Sequence, residues 1–195
     1  MTQLISNAGP LWTQATRSPF LAAAASGSLP PDAFHRWLAQ DYLFATGLTS
    51  FQGLVLAKVP RDCHQPLISG LTALDSELAW FESHAARLSL DLAAAPHPAC
   101  RRYIDFLMRS AYTQPFPVLL AILYGVEASY LEAWSALAAQ GPYQEFIERW
   151  SSPAFRDYVA SLHLLASRYP HAAAQDQFHA VLEHERDFWQ MSWEG

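Results

Sequence analysis

Three acids occupy positions where amphipathic helices should carry hydrocarbon. In the segment 177–193, Phe178, Val181, Leu182, Phe188 and Trp189 recur at three- and four-residue steps, one face of a 3.6-residue repeat, and Glu185 stands in the middle of that stripe. Phe34, Leu38, Ala45, Leu48, Gln52 and Val55 make a second stripe around Asp41. Leu120, Leu123, Tyr130, Leu131 and Trp134 make a third around Glu127. A lone ionised carboxylate in hydrocarbon costs several kcal/mol, a large part of the roughly 5–15 kcal/mol that holds a domain together. Each acid therefore needs a partner, a shifted pKa or a wet cavity, and no Lys or Arg stands in the stripes before Lys58. One such acid is as readily structural as functional. Three on three helices predict a shared polar pocket.

Clustered carboxylates support two chemistries. Crowding can raise one pKa and make a general acid and base of a pair, or the set can bind two metal ions. Glu77, His84, Glu127, Asp176, His179 and Glu185 would be the donors for a di-iron oxidase, the alternative reading. The paired Glu-x-x-His spacing of ferritin-like sites is missing, so neither a metal nor another cofactor is expected.

The elements that must carry these residues read as helices at about 2–26 (bent near Gly9-Pro10), 31–58, 63–89, 98–112, 115–139, 143–150, 153–168 and 172–193. Prolines cluster at the joints, and Ser152-Pro153 has the form of an N-cap followed by proline at the first helical position. No alternating strand pattern survives. The expected fold is an all-α bundle of seven or eight helices in a single domain, residues 1–195.

Composition narrows the partners. A net charge of −6, with Lys58 the one lysine, argues against nucleic acid and anionic membranes. No segment reaches the roughly 18 consecutive apolar residues of a membrane span, and Met1–Asn7 lacks the form of a signal peptide. Cys63 and Cys100, outside any CxxC pattern, suit the cytoplasm and read as packing residues. Housing seven Trp in one small domain suggests exposed aromatics, and with them a homodimer or homotetramer.

The segment Ser26-Gly27-Ser28-Leu29-Pro30-Pro31-Asp32-Ala33-Phe34, followed by Gln40-Asp41-Tyr42, resembles the opening motif of the TenA (thiaminase II) family. Glu185-Arg186-Asp187-Phe188-Trp189-Gln190-Met191 is similar to its closing E-x-x-F-W-x-M, and 147–155 to an intervening turn. The resemblance implies a haem-oxygenase-like fold and hydrolysis of a C–N bond on an aminopyrimidine in thiamine salvage. By motif, Asp41 would hold the pyrimidine and Glu185 would be general acid/base. The family's usual cysteine is lacking: Tyr124-Gly125-Val126-Glu127-Ala128-Ser129-Tyr130 stands in its place and, with Glu77-Leu78-Ala79-Trp80-Phe81-Glu82, looks like a cysteine-less branch associated with aminopyrimidine breakdown products. Glu127 then joins Glu185 as a catalytic candidate. Phe44 and Trp150 stand where the family often has Tyr, so Tyr103 and Tyr130 are expected to supply the missing hydroxyls. A pyrimidine-binding protein without turnover is the remaining alternative.

Overall fold

The computed structural model describes residues 3–138 and 141–195, and all regular structure there is helical. In chain order the helices are α1 Gln3–Ala8, α2 Pro10–Thr16, α3 Pro19–Ser26, α4 Pro31–Leu56, α5 His64–Leu88, α6 Pro98–Thr113, α7 Phe116–Ser135, α8 Gln144–Trp150, α9 Pro153–Arg168 and α10 Ala174–Glu194. Short 3-10 turns at Arg61–Cys63 and Gly141–Tyr143 precede α5 and α8.

Proline fixes most of the starts. It occupies the first turn of α2, α3, α4, α6, α7 and α9, where a missing N–H removes nothing from the helix. Ser152 caps α9 as its sequence predicts, accepting from the Phe155 amide at 3.3 Å. The same signature at Ser18-Pro19 corrects the first element. Residues 3–26 are three helices rather than one bent helix. Gly9 breaks the chain with φ +55°, and Arg17 breaks it again in extended conformation before Ser18 caps α3. The helix expected over 115–139 ends at Ser135. Residues 2 and 139, the expected ends of two helices, lie outside the described residues.

The long helices pack around α10, which lies against α7, α2, α4 and α6. Its last turn is held from α4: the Arg36 guanidinium donates to the carbonyls of Met191, Ser192 and Trp193, each at 3.0 Å. A cation there satisfies orphan carbonyls and meets the negative end of the helix dipole. The grip fixes the axial position of the helix that carries Glu185. By length and composition α7 would be able to cross a membrane, but most of it is buried inside the bundle, as befits a core helix.

None of the seven tryptophans is exposed. Trp37, Trp134, Trp150 and Trp189 are buried, and Trp12, Trp80 and Trp193 are half-buried. The tryptophans are thus housed without exposure and by themselves give no ground for an oligomer, while Tyr112 is an exposed aromatic, at 70%. They fit because ring packs on ring: Trp134 lies 5.5 Å from Trp37 and 5.1 Å from Trp150, between centroids, with Phe20, Phe34 and Phe146 filling around them.

Candidate active site

Helices α4, α7 and α10 each present one acid to the interior. Asp41, Glu127 and Glu185 are all at most 7% exposed. Asp41 accepts a hydrogen bond from the Tyr130 hydroxyl at 2.6 Å, and Glu185 accepts one from Tyr103 at 2.7 Å. Both tyrosines are clamped by rings. Tyr130 stacks on Trp189 at 5.7 Å and meets Trp150 edge-on, while Tyr103 lies between Phe44 at 4.5 Å and His184 at 5.0 Å. Rings so held leave their hydroxyls little freedom, which orients the carboxylates before any ligand arrives.

Asp41, Phe44, Glu127, Tyr130 and Trp150 line one cavity, with about 540 Å³ of atom-free space counting its open side. Glu185 and Tyr103 do not line it. They form the layer behind Phe44, close enough that the charge of Glu185 acts on both Asp41 and Glu127. The seven residues singled out by sequence are thus gathered in two layers, five at the wall and two behind it.

Nine further residues line the wall, among them Gly70, Tyr158 and Glu77, the last named above only as a metal donor and in the cysteine-less motif. Glu77 of α5 lines the cavity, accepts from the Trp150 indole N–H at 3.2 Å, and has the Arg149 guanidinium 3.8 Å away. Tyr158 of α9 donates to Gln52 at 3.1 Å, and Gln52 in turn donates to the Leu67 carbonyl at 2.8 Å. Gly70 permits this pair, since a Cβ there would come within 2.3 Å of both Gln52 Nε2 and the Tyr158 hydroxyl. A signal for Glu77 does exist in the sequence, because Leu67, Gly70, Leu74, Glu77, Phe81 and His84 share one helical stripe. Gly70 dilutes that stripe, so it reads more weakly than the other three.

Burial sets the protonation of the acids. Glu127 is pushed up to about 8 by burial, then by the like charges of Glu77 and Glu185. Glu185 is also pushed up to about 8 by burial, against the favourable hydrogen bond from Tyr103. Asp41 is raised well above the carboxylate range, again by burial first, with the Tyr130 hydrogen bond opposing. The cavity can therefore hold carboxylic acids near neutral pH, available both to donate and to accept protons.

The donors of the di-iron alternative do not assemble. His84 lies against Trp80 with its ring nitrogens toward Arg87 and Glu145, His179 meets Gln175, and Asp176 is exposed. Among the described residues no group of three or more His, Cys, Asp or Glu is placed to hold a metal ion. Neither cysteine lines the cavity. Cys63 closes the turn before α5, and Cys100 points its thiol at the Gln40 carbonyl, its pKa pushed up to about 12 by burial and then by Asp41, which keeps it from acting as a nucleophile.

The all-helical bundle has a haem-oxygenase-like fold. A domain of that fold from Shewanella denitrificans superposes with a TM-score of 0.72 at 16% identity, over 97% of this chain and 89% of that one. Residues 5–195 match the TENA/THI-4/PQQC family, and the chain belongs to it. A TenA homologue from Pyrococcus furiosus superposes with a TM-score of 0.92 and 29% identity, covering 98% of both chains. A relative from Glycine max described as a probable bifunctional TENA-E protein is 29% identical over 93% of this chain and 88% of its own length.

Proposed function

We propose that this protein is an aminopyrimidine hydrolase of thiamine salvage, belonging to the branch that works without a cysteine. The substrate is an aminomethyl- or formylaminomethyl-pyrimidine. With the aminomethyl compound, water adds its oxygen to the methylene carbon, the C–N bond breaks, and ammonia and the pyrimidine alcohol leave. One proton must reach the departing nitrogen and one must be taken from water. Glu127 suits the donor role, since it lines the cavity and the charge of Glu77 favours its protonated form. Glu185, accepting from Tyr103 one layer behind the wall, suits the acceptor role at one remove: the proton from water reaches it through that layer rather than by direct contact. Asp41, oriented by Tyr130, can pair with the exocyclic amino group and a ring nitrogen of the pyrimidine, a two-point contact that fixes the ring. Phe44 and Trp150 supply flat walls for it.

The observation that carries this reading is the convergence of Asp41, Glu77 and Glu127 on one aromatic-walled cavity, with Glu185 buried behind it. Incubation with thiamine, the aminomethyl-pyrimidine and its formyl derivative tests it. Release of pyrimidine alcohol with ammonia, or of formate from the formyl compound, is the expected result. Tight binding by calorimetry with no product from any of them would make the protein a binding protein instead.

A further inference from the structure

The inner cavity opens outward through a vestibule on the α5, α8 and α9 side. The two spaces share Ala73, Glu77, Trp150, Phe155 and Tyr158, so Glu77 stands at the neck between them. Arg149, the residue before Trp150, lines only the outer space. Its guanidinium lies 4.6 Å from the Trp80 ring centroid with Nε 3.8 Å from Glu77, and its side chain is 30% exposed. A cation seated on an indole face in this way has lost much of its freedom, so its charge stays where Glu77 feels it.

We propose that Arg149 is a positioning residue that acts through Glu77, holding it as a carboxylate at the neck so that the proton of the buried acid set rests on Glu127. The inference rests on the assignment of Glu127 as proton donor. No other cation stands at the neck among the described residues: Glu77 is faced by Asp41 from α4, Glu127 and Tyr130 from α7, Arg149 and Trp150 from α8, and shares the cavity wall with Tyr158 of α9, while Glu148 adds a further acid to the vestibule. Glu127 is faced by Glu77 and Glu185, with the hydroxyls of Tyr103 and Tyr158 near it. Of the two like charges, Glu77 acts on it more strongly. The chain of cause runs inward. Burial raises the proton affinity of Glu77 and the Arg149 cation and Trp150 N–H oppose it, while the charge so kept on Glu77 adds to burial in raising the proton affinity of Glu127.

Removing the cation should reverse both effects. In Arg149→Met, Glu77 takes up a proton more readily and Glu127 releases its own more readily, so the basic limb of the kcat profile should move to lower pH by about one unit. Arg149→Lys should restore most of the shift, since it keeps a charge at that place. The infrared band of the protonated Glu127 carboxyl, identified by its loss in Glu127→Gln, gives the same midpoint without any need for turnover. A substrate panel with no product would thus refute the hydrolase reading while leaving this relay open to the infrared test. Loss of activity or thermal stability in Arg149→Met with an unmoved Glu127 midpoint would reduce Arg149 to packing and overturn the proposal. Should Arg149→Met not fold, Glu77→Gln takes its place: a downward shift is expected, and an unmoved midpoint overturns the proposal as well.

Discussion

The first turns and the middle of α10 hold similar residues in opposite circumstances. Its first turns present Asp176, exposed, and His179, half-buried beside Gln175, which reaches the Leu4 carbonyl of α1. Two turns further on, Glu185 is 3% exposed, bonded to Tyr103 and pushed up to about 8. The helix and the side-chain chemistry are the same, and the surroundings differ. Burial between α4, α6 and α7, rather than the presence of an acid, raises the pKa in the middle of the helix and leaves the first turns a solvated face.

Replacing the buried acid should separate the two stretches most widely. Glu185→Gln should lose about 10²–10⁴-fold in kcat on the aminomethyl-pyrimidine with an unchanged circular dichroism spectrum. Retention of wild-type turnover would remove Glu185 from the mechanism.

Stability should respond next, with a definite sign. The folded pKa of Glu127, about 8, lies above its ordinary 4.5, so the folded protein binds the extra proton. Its contribution is complete below pH 4.5 and is lost as pH rises through 8. Urea denaturation should therefore show wild-type stability falling between about pH 5 and pH 8.5, while Glu127→Gln flattens the slope by roughly 2–4 kcal/mol. A slope equal in both proteins would mean that Glu127 ionises in the folded state much as it does in the unfolded chain.

The smallest effect belongs to the first turns of the helix. Asp176→Asn should change stability by less than about 0.5 kcal/mol and leave turnover alone, as a surface substitution does. A larger loss of turnover would place the N-terminal turns of α10 within the functional site and erase the contrast.

Legibility in the sequence followed how pure each stripe was. Asp41, Glu127 and Glu185 interrupt runs of Leu, Val and aromatic residues, and each proved buried. Glu77 lies on a stripe diluted by Gly70, and Tyr158 on α9 carries no local mark at all, so the α5 and α9 wall of the cavity is hidden from a reading of one helix at a time. The break at Arg17 to Pro19 is masked because the apolar residues on either side continue a helical spacing across it, although Ser18-Pro19 carries the cap signature itself.

By itself the sequence determined that the chain is helical, where most helices begin, and that three acids must turn inward, because periodicity and proline geometry act over a few residues. The tertiary structure alone decided which acid lines the cavity and which stands behind Phe44, and that Arg149 reaches Glu77 from another helix. Those relations depend on distances between segments far apart in the chain, and no spacing along one helix records them.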